Sequence, residues 1–432
     1  MAQQQSKRKL FLALGAVVFL VLLMKFIGGT SLNECDGYAR GSSPQSGQGL
    51  KVLVTGAGGF IASHVAKSCA ELGMSVVAID DMSGGFKTNV PDGNIKFILG
   101  DVKDPEFIEA LFQQHGPFDV VYHLAAYAAE GLSHFIRSYN YRNNLVGSVE
   151  LLNAAIKHKT RTFVFTSSIA VYGTNQIPMT EETVPEPEDP YGISKYAFEL
   201  DLRAAHHMFG IDYIVFRPHN VYGPHQNIAD KYRNVIGIFI NQLLNNQPMT
   251  IFGDGEQTRA FSYISDVAPI IARGPLIKEA RNQVFNIGAD TPYTLNTLAT
   301  AVADAMGVSR NVKHLDARNE VMHAEASHRK LHCVFGTGGK FVTLSEGLRH
   351  TVQWVRSVGH AMKPVEFEAV EIKKNMPPSW VRPDLKEAAS IVHTAKTANP
   401  AFVDEPADRL CYESALHEEK SVKPYCPGNP AA

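Results

Sequence analysis

Cysteine, tryptophan and net charge are all scarce in this chain. Its 432 residues include five cysteines and two tryptophans, and 41 basic against 43 acidic side chains leave a formal net charge of −2. Without a dense Lys/Arg stripe, this balance argues against nucleic acid as the main partner. No Asn-x-Ser/Thr sequon occurs, so one possible support for a secretory location is missing. A small or anionic metabolite is the better default ligand.

The composition is that of a globular protein with a large core. Hydrophobic residues make up 45% of the sequence and charged residues 19%, so we expect two intimately joined domains plus tails. Three of the five cysteines, Cys35, Cys411 and Cys426, lie outside the expected core, where a disulfide could form. The alternative is that all five are free thiols.

A hydrophobic run follows a basic cluster near the N-terminus. Residues 10–24 carry no charge and come directly after the cluster at 7–9. The run predicts a signal-anchor helix over 10–27, with a cytoplasmic tail before it and a flexible, Gly/Ser-rich stem over 28–49. A cleavable signal peptide is the rival interpretation. The basic cluster favours a single-pass type II membrane protein of the Golgi or another secretory membrane, with its main body in the lumen.

Short β-rich runs alternate with helical patterns from residue 50 onward. Such alternation forms βαβ units, so the sequence predicts an α/β fold with a doubly wound parallel sheet. Apolar residues at three-and-four spacing predict helices over 144–158 and 191–207. After about residue 363 the chain becomes Pro-rich and weakly periodic, which indicates an extension that wraps the surface or is partly disordered. The predicted strands are 52–55, 76–79, 95–99, 120–123, 163–166 and 213–216.

A glycine-rich turn follows the first predicted strand and leads into a helical pattern. Gly56 permits the tight turn, Gly59 lets the backbone approach a pyrophosphate, and Ala62 lets the helix pack on the strand. Asp80 ends the second predicted strand, where a carboxylate can accept the ribose hydroxyls of a dinucleotide. An acid at this place favours NAD over NADP. Alone, Asp80 could equally be an ordinary loop carboxylate.

Tyr191 and Lys195 lie four residues apart on the predicted helix 191–207. At this spacing an ammonium can sit beside a phenol and lower its pKa. Taken alone the pair is weak, because any helix brings such residues together. Ser168 stands at the end of the strand 163–166, in the crevice where parallel sheets bind ligands, and its hydroxyl could hold a substrate oxygen in line with Tyr191.

Residues 50–360 together resemble the extended short-chain dehydrogenase/reductases of the NAD-dependent sugar epimerase/dehydratase family, with a pattern most similar to UDP-glucose 4-epimerase-like enzymes. The order and spacing of the matching motifs carry the resemblance. They are Thr55-Gly-Ala-Gly-Gly-Phe-Ile-Ala-Ser-His, Gly100-Asp-Val, Tyr122-His-Leu-Ala-Ala, Asn143-Asn-Leu-Val-Gly, Phe165-Thr-Ser-Ser-Ile-Ala-Val-Tyr-Gly, Asp189-Pro-Tyr-Gly-Ile-Ser-Lys, Arg217-Pro-His-Asn-Val-Tyr-Gly-Pro and Gly253-Asp-Gly-Glu-Gln-Thr-Arg.

The resemblance implies a domain plan and a set of site residues. A Rossmann NAD-binding domain would span 50–218 with a return near 261–290, and a smaller substrate-binding α/β region would span 219–260 and 291–362, leaving 363–432 as a C-terminal extension. Ser168, Tyr191 and Lys195 would be catalytic. The residues implied to bind NAD are Gly56, Gly59, Phe60, Ile61, Asp80, Asp101, Val102, Leu124, Ala125, Asn144, Tyr191 and Lys195.

The residues after Ser168 help to choose among the reactions of such enzymes. In the resembled dehydratases and decarboxylases an acidic residue follows the catalytic hydroxyl, whereas this chain has Ile169 and Ala170. The resemblance therefore implies 4-epimerisation of a UDP-sugar through a transient 4-keto sugar, with NAD regenerated in each cycle. Open alternatives are a decarboxylase, a dehydratase, a hydroxysteroid-type dehydrogenase, or a non-catalytic NAD-binding scaffold.

The substrate end is implied by the second half of the chain. Asn220, Arg259 and Arg318 resemble nucleotide-diphosphate contacts, and Ala324 would leave room for an N-acetyl group at the sugar C2. Two departures are Ala260, where relatives often have Asp, and Ala128, where a Lys near the cofactor phosphates is common. Metal-ligand spacing is lacking around the histidines, so no metal is predicted. A homodimer is expected through the helices that start near Asn144 and Tyr191.

Overall fold

A computed structural model describes residues 35–90, 93–174, 177–317, 322–337, 341–358, 370–377 and 380. The described residues up to Ile372 belong to one compact unit, and those from Lys373 belong to a second, in which residues 374–375 form a turn. The predicted tail and signal-anchor, Cys411 and Cys426 lie outside the described residues. Within the described ranges, no helix combines the length and apolar character needed to cross a bilayer.

The described residues form fourteen strands. In chain order they are β1 (Lys51–Thr55), β2 (Ser75–Asp80), β3 (Ile95–Leu99), β4 (Val120–His123), β5 (Thr162–Thr166), β6 (Asp212–Pro218), β7 (Val221–Tyr222), β8 (Met249–Phe252), β9 (Thr258–Ala260), β10 (Ser262–Tyr263), β11 (Gln283–Ile287), β12 (Pro292–Thr294), β13 (Val312–Leu315) and β14 (His323–Ala324).

Eleven α-helices are found among the same residues. They are α1 (Phe60–Glu71), α2 (Pro105–His115), α3 (Glu130–Ser133), α4 (Arg137–Tyr141), α5 (Gly147–Lys157), α6 (Pro190–Phe209), α7 (Val235–Leu244), α8 (Ile264–Arg273), α9 (Leu295–Met306), α10 (Arg329–Phe335) and α11 (Leu344–Val358).

Seven parallel strands make the main sheet, in the order β11-β6-β5-β4-β1-β2-β3. Helices cover both faces of this sheet. Successive strand residues point to opposite faces, so neighbouring residues of one strand enter different cores. Val52 and Val54 of β1 pack into the core that contains α1 and α8 residues, and Leu53 packs into the core shared with α2, α5 and α6. The predicted doubly wound parallel sheet is confirmed, and β11, from within the predicted return at 261–290, completes one edge.

The predicted elements agree closely with the observed ones. Each of the six predicted strands overlaps an observed strand, because continuous runs of apolar residues are typical of strands buried on both faces. The helix predicted over 191–207 is α6. The helix predicted over 144–158 begins instead with a π-helical turn, Arg142–Val146, before α5. This turn places Asn143 and Asn144 on the buried side of the chain.

Smaller sheets form after β6. Strands β8 and β13 pair in parallel, and β9 lies between β12 and β14. In the second of these sheets Ala324 is the register partner of Arg259. The sequence-implied substrate residues Arg259 and Ala324 therefore lie on neighbouring strands.

Residues 35–48 differ from the flexible stem predicted for this part of the chain. Cys35 forms a disulfide with Cys333 of α10. The amide of Gly41 donates to the Cys333 carbonyl at 3.3 Å, and the amide of Gln45 donates to the Leu276 carbonyl at 2.8 Å. Gly/Ser composition suggested flexibility, but a covalent crosslink and backbone hydrogen bonds hold the segment. The alternative of five free cysteines is wrong, while Cys69 is a buried free thiol.

Within the first unit, two residues of the predicted C-terminal extension bond to the chain before α4. The amides of Glu371 and Ile372 both donate to the carbonyl of Phe135, at 2.9 and 3.2 Å. The Glu371 carboxylate accepts from the amides of Ser138 and Tyr139 at 2.7 and 2.8 Å. Glu371 therefore caps the first turn of α4, which packs against α6.

Candidate active site

Helix α6 and the end of β5 bring the three predicted catalytic side chains together. Asp189 caps α6, since its carboxylate accepts from the Gly192 amide at 2.9 Å. Tyr191 and Lys195 are one helical turn apart on α6, and the Lys195 Nζ lies 5.8 Å from the centre of the Tyr191 ring. Ser168 follows β5 in extended conformation, and its side chain is near enough to the Tyr191 phenol to lower the pKa of that phenol. The trio is thus one cluster at the carboxyl ends of the strands.

Burial sets the protonation chemistry of this cluster. Tyr191 is buried, and its burial raises the pKa of its phenol, while the hydrogen bond with Ser168 acts in the opposite direction. Burial lowers the pKa of Lys195 to about 7, and the nearby Glu199 carboxylate partly opposes this. The Lys195 ammonium donates to the Thr166 carbonyl at 2.9 Å. Proton loss from Tyr191 therefore depends on positive charge nearby.

A chain of buried hydrogen bonds begins at Ser167, next to the cluster. Ser167, the neighbour of Ser168, donates to Glu199, which also forms an ion pair with Arg217. Arg217 donates to the Tyr172 hydroxyl at 2.7 Å, and this hydroxyl donates to Asn286 of β11 at 2.8 Å. The chain thereby links the catalytic strand end to the far edge of the main sheet.

The glycine turn forms a tight cradle in front of α1. Gly56 has φ +77°, and a Cβ there would lie 2.8 Å from the backbone of Ala125. A Cβ on Gly85 would lie 2.5 Å from the backbone of Gly58. No side chain caps the α1 N-terminus at Gly59, so its amides are placed to face a diphosphate. Backbone packing at this density fits the close approach of a dinucleotide.

Asp80 orients the turn at the end of β2. Its carboxylate accepts from the Gly58 amide at 3.0 Å and from the Met82 amide at 2.7 Å. Burial raises the pKa of Asp80, and these backbone hydrogen bonds act in the opposite direction. Each carboxylate oxygen retains further acceptor capacity for a ribose hydroxyl. Phe60 and Ile61, also predicted at the cofactor, form the first turn of α1.

The opposite wall of the cleft carries Leu124 and Ala125. Their amides donate to the Thr55 hydroxyl at 3.2 and 3.1 Å. Thr55 in turn hydrogen bonds to Nδ1 of His123 at 2.8 Å. Burial lowers the pKa of His123 to about 3, so this histidine is neutral. Thr55 begins the first of the matching motifs, but the motif implied no role for its hydroxyl.

Asn144 has a structural task that its motif does not reveal. Its side chain accepts from the Tyr127 amide at 2.8 Å, and donates to the Tyr127 carbonyl at 3.0 Å and to Asn140 at 2.8 Å. The residue is fully buried, so it holds the wall that contains Tyr127. Asn140 in turn donates to the Pro190 carbonyl at 2.8 Å, at the start of α6.

Asp101 and Val102 lie just after β3, at the adenine side of the cleft that the resemblance implies. Lys103 lies 2.9 Å from Asp101 and 3.6 Å from Asp81, and donates to Asn143 at 3.0 Å. Val102 is buried, and a Cβ on Gly147 would lie 3.0 Å from its side chain. Lys103 directly follows the motif Gly100-Asp-Val, but the motif implied no role for it.

The implied substrate residues that the structure describes lie on β9, on β14 and in the connection between β6 and β7. Asn220 has φ +41° and donates to the Ala260 carbonyl at 3.1 Å. Arg259 donates to the carbonyls of Thr258 and Met322 at 2.8 and 3.1 Å. Ala324 is half-buried beside Arg259, and Arg318 lies outside the described residues. Among the described residues, no group of three or more His, Cys, Asp or Glu side chains suits a metal ion.

A doubly wound sheet, a glycine cradle with an acid after β2, and a Ser/Tyr/Lys cluster at the strand ends define a dinucleotide-dependent enzyme of the short-chain dehydrogenase/reductase type. The chain belongs to the NAD-dependent epimerase/dehydratase family, whose family model matches residues 52–288. NAD is its cofactor. The cradle, Asp80 and the catalytic cluster are the parts that would hold it.

Three relatives indicate the range of this family. A putative UDP-glucose 4-epimerase of Methanocaldococcus jannaschii is 31% identical over 71% of this chain and 98% of its own length. A dTDP-D-glucose 4,6-dehydratase of Mus musculus is 32% identical over 78% and 97%. The crystal structure of a Thermotoga maritima UDP-glucose 4-epimerase with UDP-glucose is 33% identical, with a TM-score of 0.67 over 72% of this chain and 99% of that one.

Proposed function

We propose that this protein is a 4-epimerase of UDP-sugars. The observation that carries the proposal is the makeup of the Ser168/Tyr191 cluster. Ile169 and Ala170 follow Ser168 in a short 3₁₀ turn, and neither can act as an acid or base. Epimerisation needs one proton-transfer group and one hydride carrier, which Tyr191 and bound NAD would supply. The UDP-glucose bound to the Thermotoga relative supports a UDP-sugar as substrate.

Each residue of the cluster has a task in this reaction. Tyr191, as phenolate, takes the proton of the sugar 4-hydroxyl and returns it after inversion, and the Lys195 ammonium stabilises the phenolate. Ser168 hydrogen bonds to the same sugar oxygen and keeps it in line with Tyr191. NAD, when bound, would supply the hydride acceptor for C4 and the hydride donor for the return transfer to the opposite face. The 4-keto sugar turns over between the two transfers, so the sum of the steps leaves NAD unchanged.

Product analysis tests this proposal directly. The purified protein, incubated with a panel of UDP-sugars, should interconvert 4-epimers without net formation of NADH. Tyr191→Phe should lower kcat by at least about 10²-fold, the scale of a lost general base, and should still bind NAD. Tyr196→Phe, on the same helix, is the matched control and should remain active. Full activity of Tyr191→Phe would overturn the mechanism.

A 4,6-dehydratase is the second candidate, because relatives with that name are as similar as the epimerases. Glu130 is the residue that favours it. Its negative charge acts on the Tyr191 phenol, and its carbonyl accepts from Ser133, whose hydroxyl accepts from the Tyr191 amide at 3.2 Å. A dehydratase would release a 4-keto-6-deoxy sugar lighter by one water. If the native protein formed this product and Glu130→Gln did not, the dehydratase would replace the epimerase as the proposed function.

The half-buried Ala324 supports tolerance of a C2 N-acetyl group, so we expect turnover of UDP-GlcNAc or UDP-GalNAc alongside UDP-glucose or UDP-galactose. Ala324→Tyr should reduce turnover of the N-acetylated pair while sparing the other. Turnover of UDP-glucose by the native protein with no turnover of UDP-GlcNAc would contradict this expectation.

We also propose that the protein is a homodimer anchored in a Golgi or other secretory membrane. Ile193 and Leu200 on α6 and Val146 before α5 are exposed apolar side chains, which supports pairing of these helices. The Cys35–Cys333 disulfide supports an oxidising compartment. Light scattering of native protein and of Leu200→Asp tests the dimer, and protease protection of the main body in intact vesicles tests the luminal placement.

A further inference from the structure

The segment 224–234 lies along the outer side of the cofactor cleft. Asn89 joins it to the glycine turn, because one side-chain amide donates both to the Gly58 carbonyl and to the His225 carbonyl, each at 3.1 Å. Near the other end of the segment, Arg233 comes close to the loop after β2. Its Nη2 lies 3.5 Å from the position that a Cβ on Gly84 would occupy. The segment is therefore linked to the glycine turn near one end and lies beside the loop after β2 near the other.

The Arg233 guanidinium is held in one orientation. It lies over the Tyr127 ring, 4.3 Å from the ring centre, and its Nε lies 3.0 Å from a carboxylate oxygen of Asp230. The Asp230 side chain is fully buried, whereas that of Arg233 is 27% exposed. Tyr127 is itself held by both hydrogen bonds to Asn144. Stacking and ion pairing thus present the outer edge of the guanidinium towards the Gly84 side of the cleft.

The charges around the cleft leave few other cations to pair with an anionic ligand beside the Arg233 guanidinium. The wall at 124–130 contains no Lys or Arg and ends in Glu130. At the rim, Lys103 is shared between Asp81 and Asp101. The Arg233 guanidinium has one carboxylate partner in Asp230 and several N–H donors, so it can pair with a diphosphate as well.

We propose that Arg233 is a cofactor-binding residue that closes the segment 224–234 over the dinucleotide and donates to its diphosphate. Asp230 and Tyr127 are positioning residues for this guanidinium. The inference concerns cofactor retention and does not depend on which sugar is converted. The diphosphate of a UDP-sugar is the other source of the same chemistry, and separate titrations distinguish the two.

The experiment compares Arg233→Met, Arg233→Lys and Arg203→Met. Met keeps the aliphatic stem but removes the charge, Lys keeps the charge but not the planar fork, and Arg203 is an exposed arginine on α6 that serves as the matched control. Cofactor-free protein is titrated calorimetrically with NAD and separately with UDP. We expect Arg233→Met to weaken NAD binding by about tenfold or more, Arg233→Lys to weaken it less, and Arg203→Met to leave it unchanged.

Salt provides a second measurement. The NAD affinity of the native protein should fall more steeply with ionic strength than that of Arg233→Met, because the variant has lost one charge contact. Thermal unfolding of each cofactor-free variant checks that it is folded. If Arg233→Met does not fold, Arg233→Lys replaces it in the comparison, because a lysine can keep the ion pair with Asp230. The proposal is overturned if a folded Arg233→Met variant binds NAD as the native protein does, or if UDP affinity falls while NAD affinity is unchanged. Where only Arg233→Lys folds, native NAD affinity in that variant overturns it.

Discussion

Glu199 and Arg217 form a buried ion pair directly beneath the catalytic cluster. The side chain of Arg217 is 3% exposed and that of Glu199 is 1% exposed, and both nitrogens Nε and Nη2 of Arg217 donate to the carboxylate. Glu199 also lies one helical turn beyond Lys195, whose pKa it raises against the effect of burial. One carboxylate thus serves the core and the active site.

Glu199→Gln should destabilise the protein strongly, because it leaves the Arg217 charge buried without a counter-ion. The loss of unfolding free energy should be about 3–5 kcal/mol, measured by urea denaturation. Arg161→Met is the control: the Arg161 side chain is 66% exposed in its pair with Asp119, so about 1 kcal/mol or less is expected. Combining Glu199→Leu with Arg217→Met should recover much of the loss. Equal effects of the buried and exposed changes would contradict this account.

Stability of the cofactor-free protein should rise with pH because of Lys195. Its pKa is about 7 in the folded protein and 10.5 in the reference state, so between these values the unfolded chain binds a proton that the folded protein does not. Unfolding free energy therefore increases with pH through this window, by at most about 1.4 kcal/mol per pH unit from this group. Urea denaturation between pH 7 and 9 measures the slope.

Lys195→Met should lack this part of the slope, because the titrating group is gone. Lys157→Met removes a lysine whose side chain is 68% exposed and should keep the native slope. A Lys195→Met protein with an unchanged slope would show that other groups produce it.

Gly56→Ala should abolish NAD binding through a steric conflict. A methyl group there would meet the Ala125 backbone at 2.8 Å and force the two walls of the cleft apart. Gly307→Ala is matched for backbone conformation, since φ is +66° at Gly307 and +77° at Gly56, but no atom lies within 4 Å of its Cβ position. The control should lose about 1–2 kcal/mol of stability and retain NAD. The test is to titrate both variants with NAD. If Gly56→Ala bound NAD with the affinity of the native protein, the steric explanation would be wrong.

The Cys35–Cys333 disulfide should contribute measurably to stability. It joins residues separated by 298 positions, and loss of a native disulfide typically costs about 2–5 kcal/mol. We expect dithiothreitol to lower the melting temperature of the native protein. Cys333→Ser should have the melting temperature of the reduced native protein, and dithiothreitol should not change it. If dithiothreitol lowered the melting temperature of both proteins equally, the effect would not come from this disulfide.

Features that depend on neighbouring residues could be predicted from the sequence. The strands around Val52 and Phe163 are continuous apolar runs, and Tyr191 and Lys195 meet because one helical turn separates them. The glycine turn is equally local, since a strand, Gly56 and a helix follow one another directly. These features require no knowledge of distant partners, and the structure confirms each of these elements.

Contacts between distant segments could not be predicted in the same way. Arg233 and Tyr127 come from separate segments, and neither periodicity nor spacing relates them. The partner of Cys35 was equally hidden, because Cys333 lies within a helix of the core. Asn144 shows a different limit: its motif indicated a place near the cofactor, yet its amide group is occupied by Tyr127 and Asn140. A motif marks a position without revealing what its side chain does.

Strand β11 enters the main sheet only after the chain has built β7 to β10 and two helices. The polypeptide therefore leaves the cofactor half and comes back to it, so the intervening part is covalently held at both of its ends. Asn286, on the returning strand, also donates to the carbonyls of Met179 and Ser327. The part of the chain between β6 and β11 is therefore tied to two neighbouring strands of the main sheet, so it cannot separate from that sheet at one end alone.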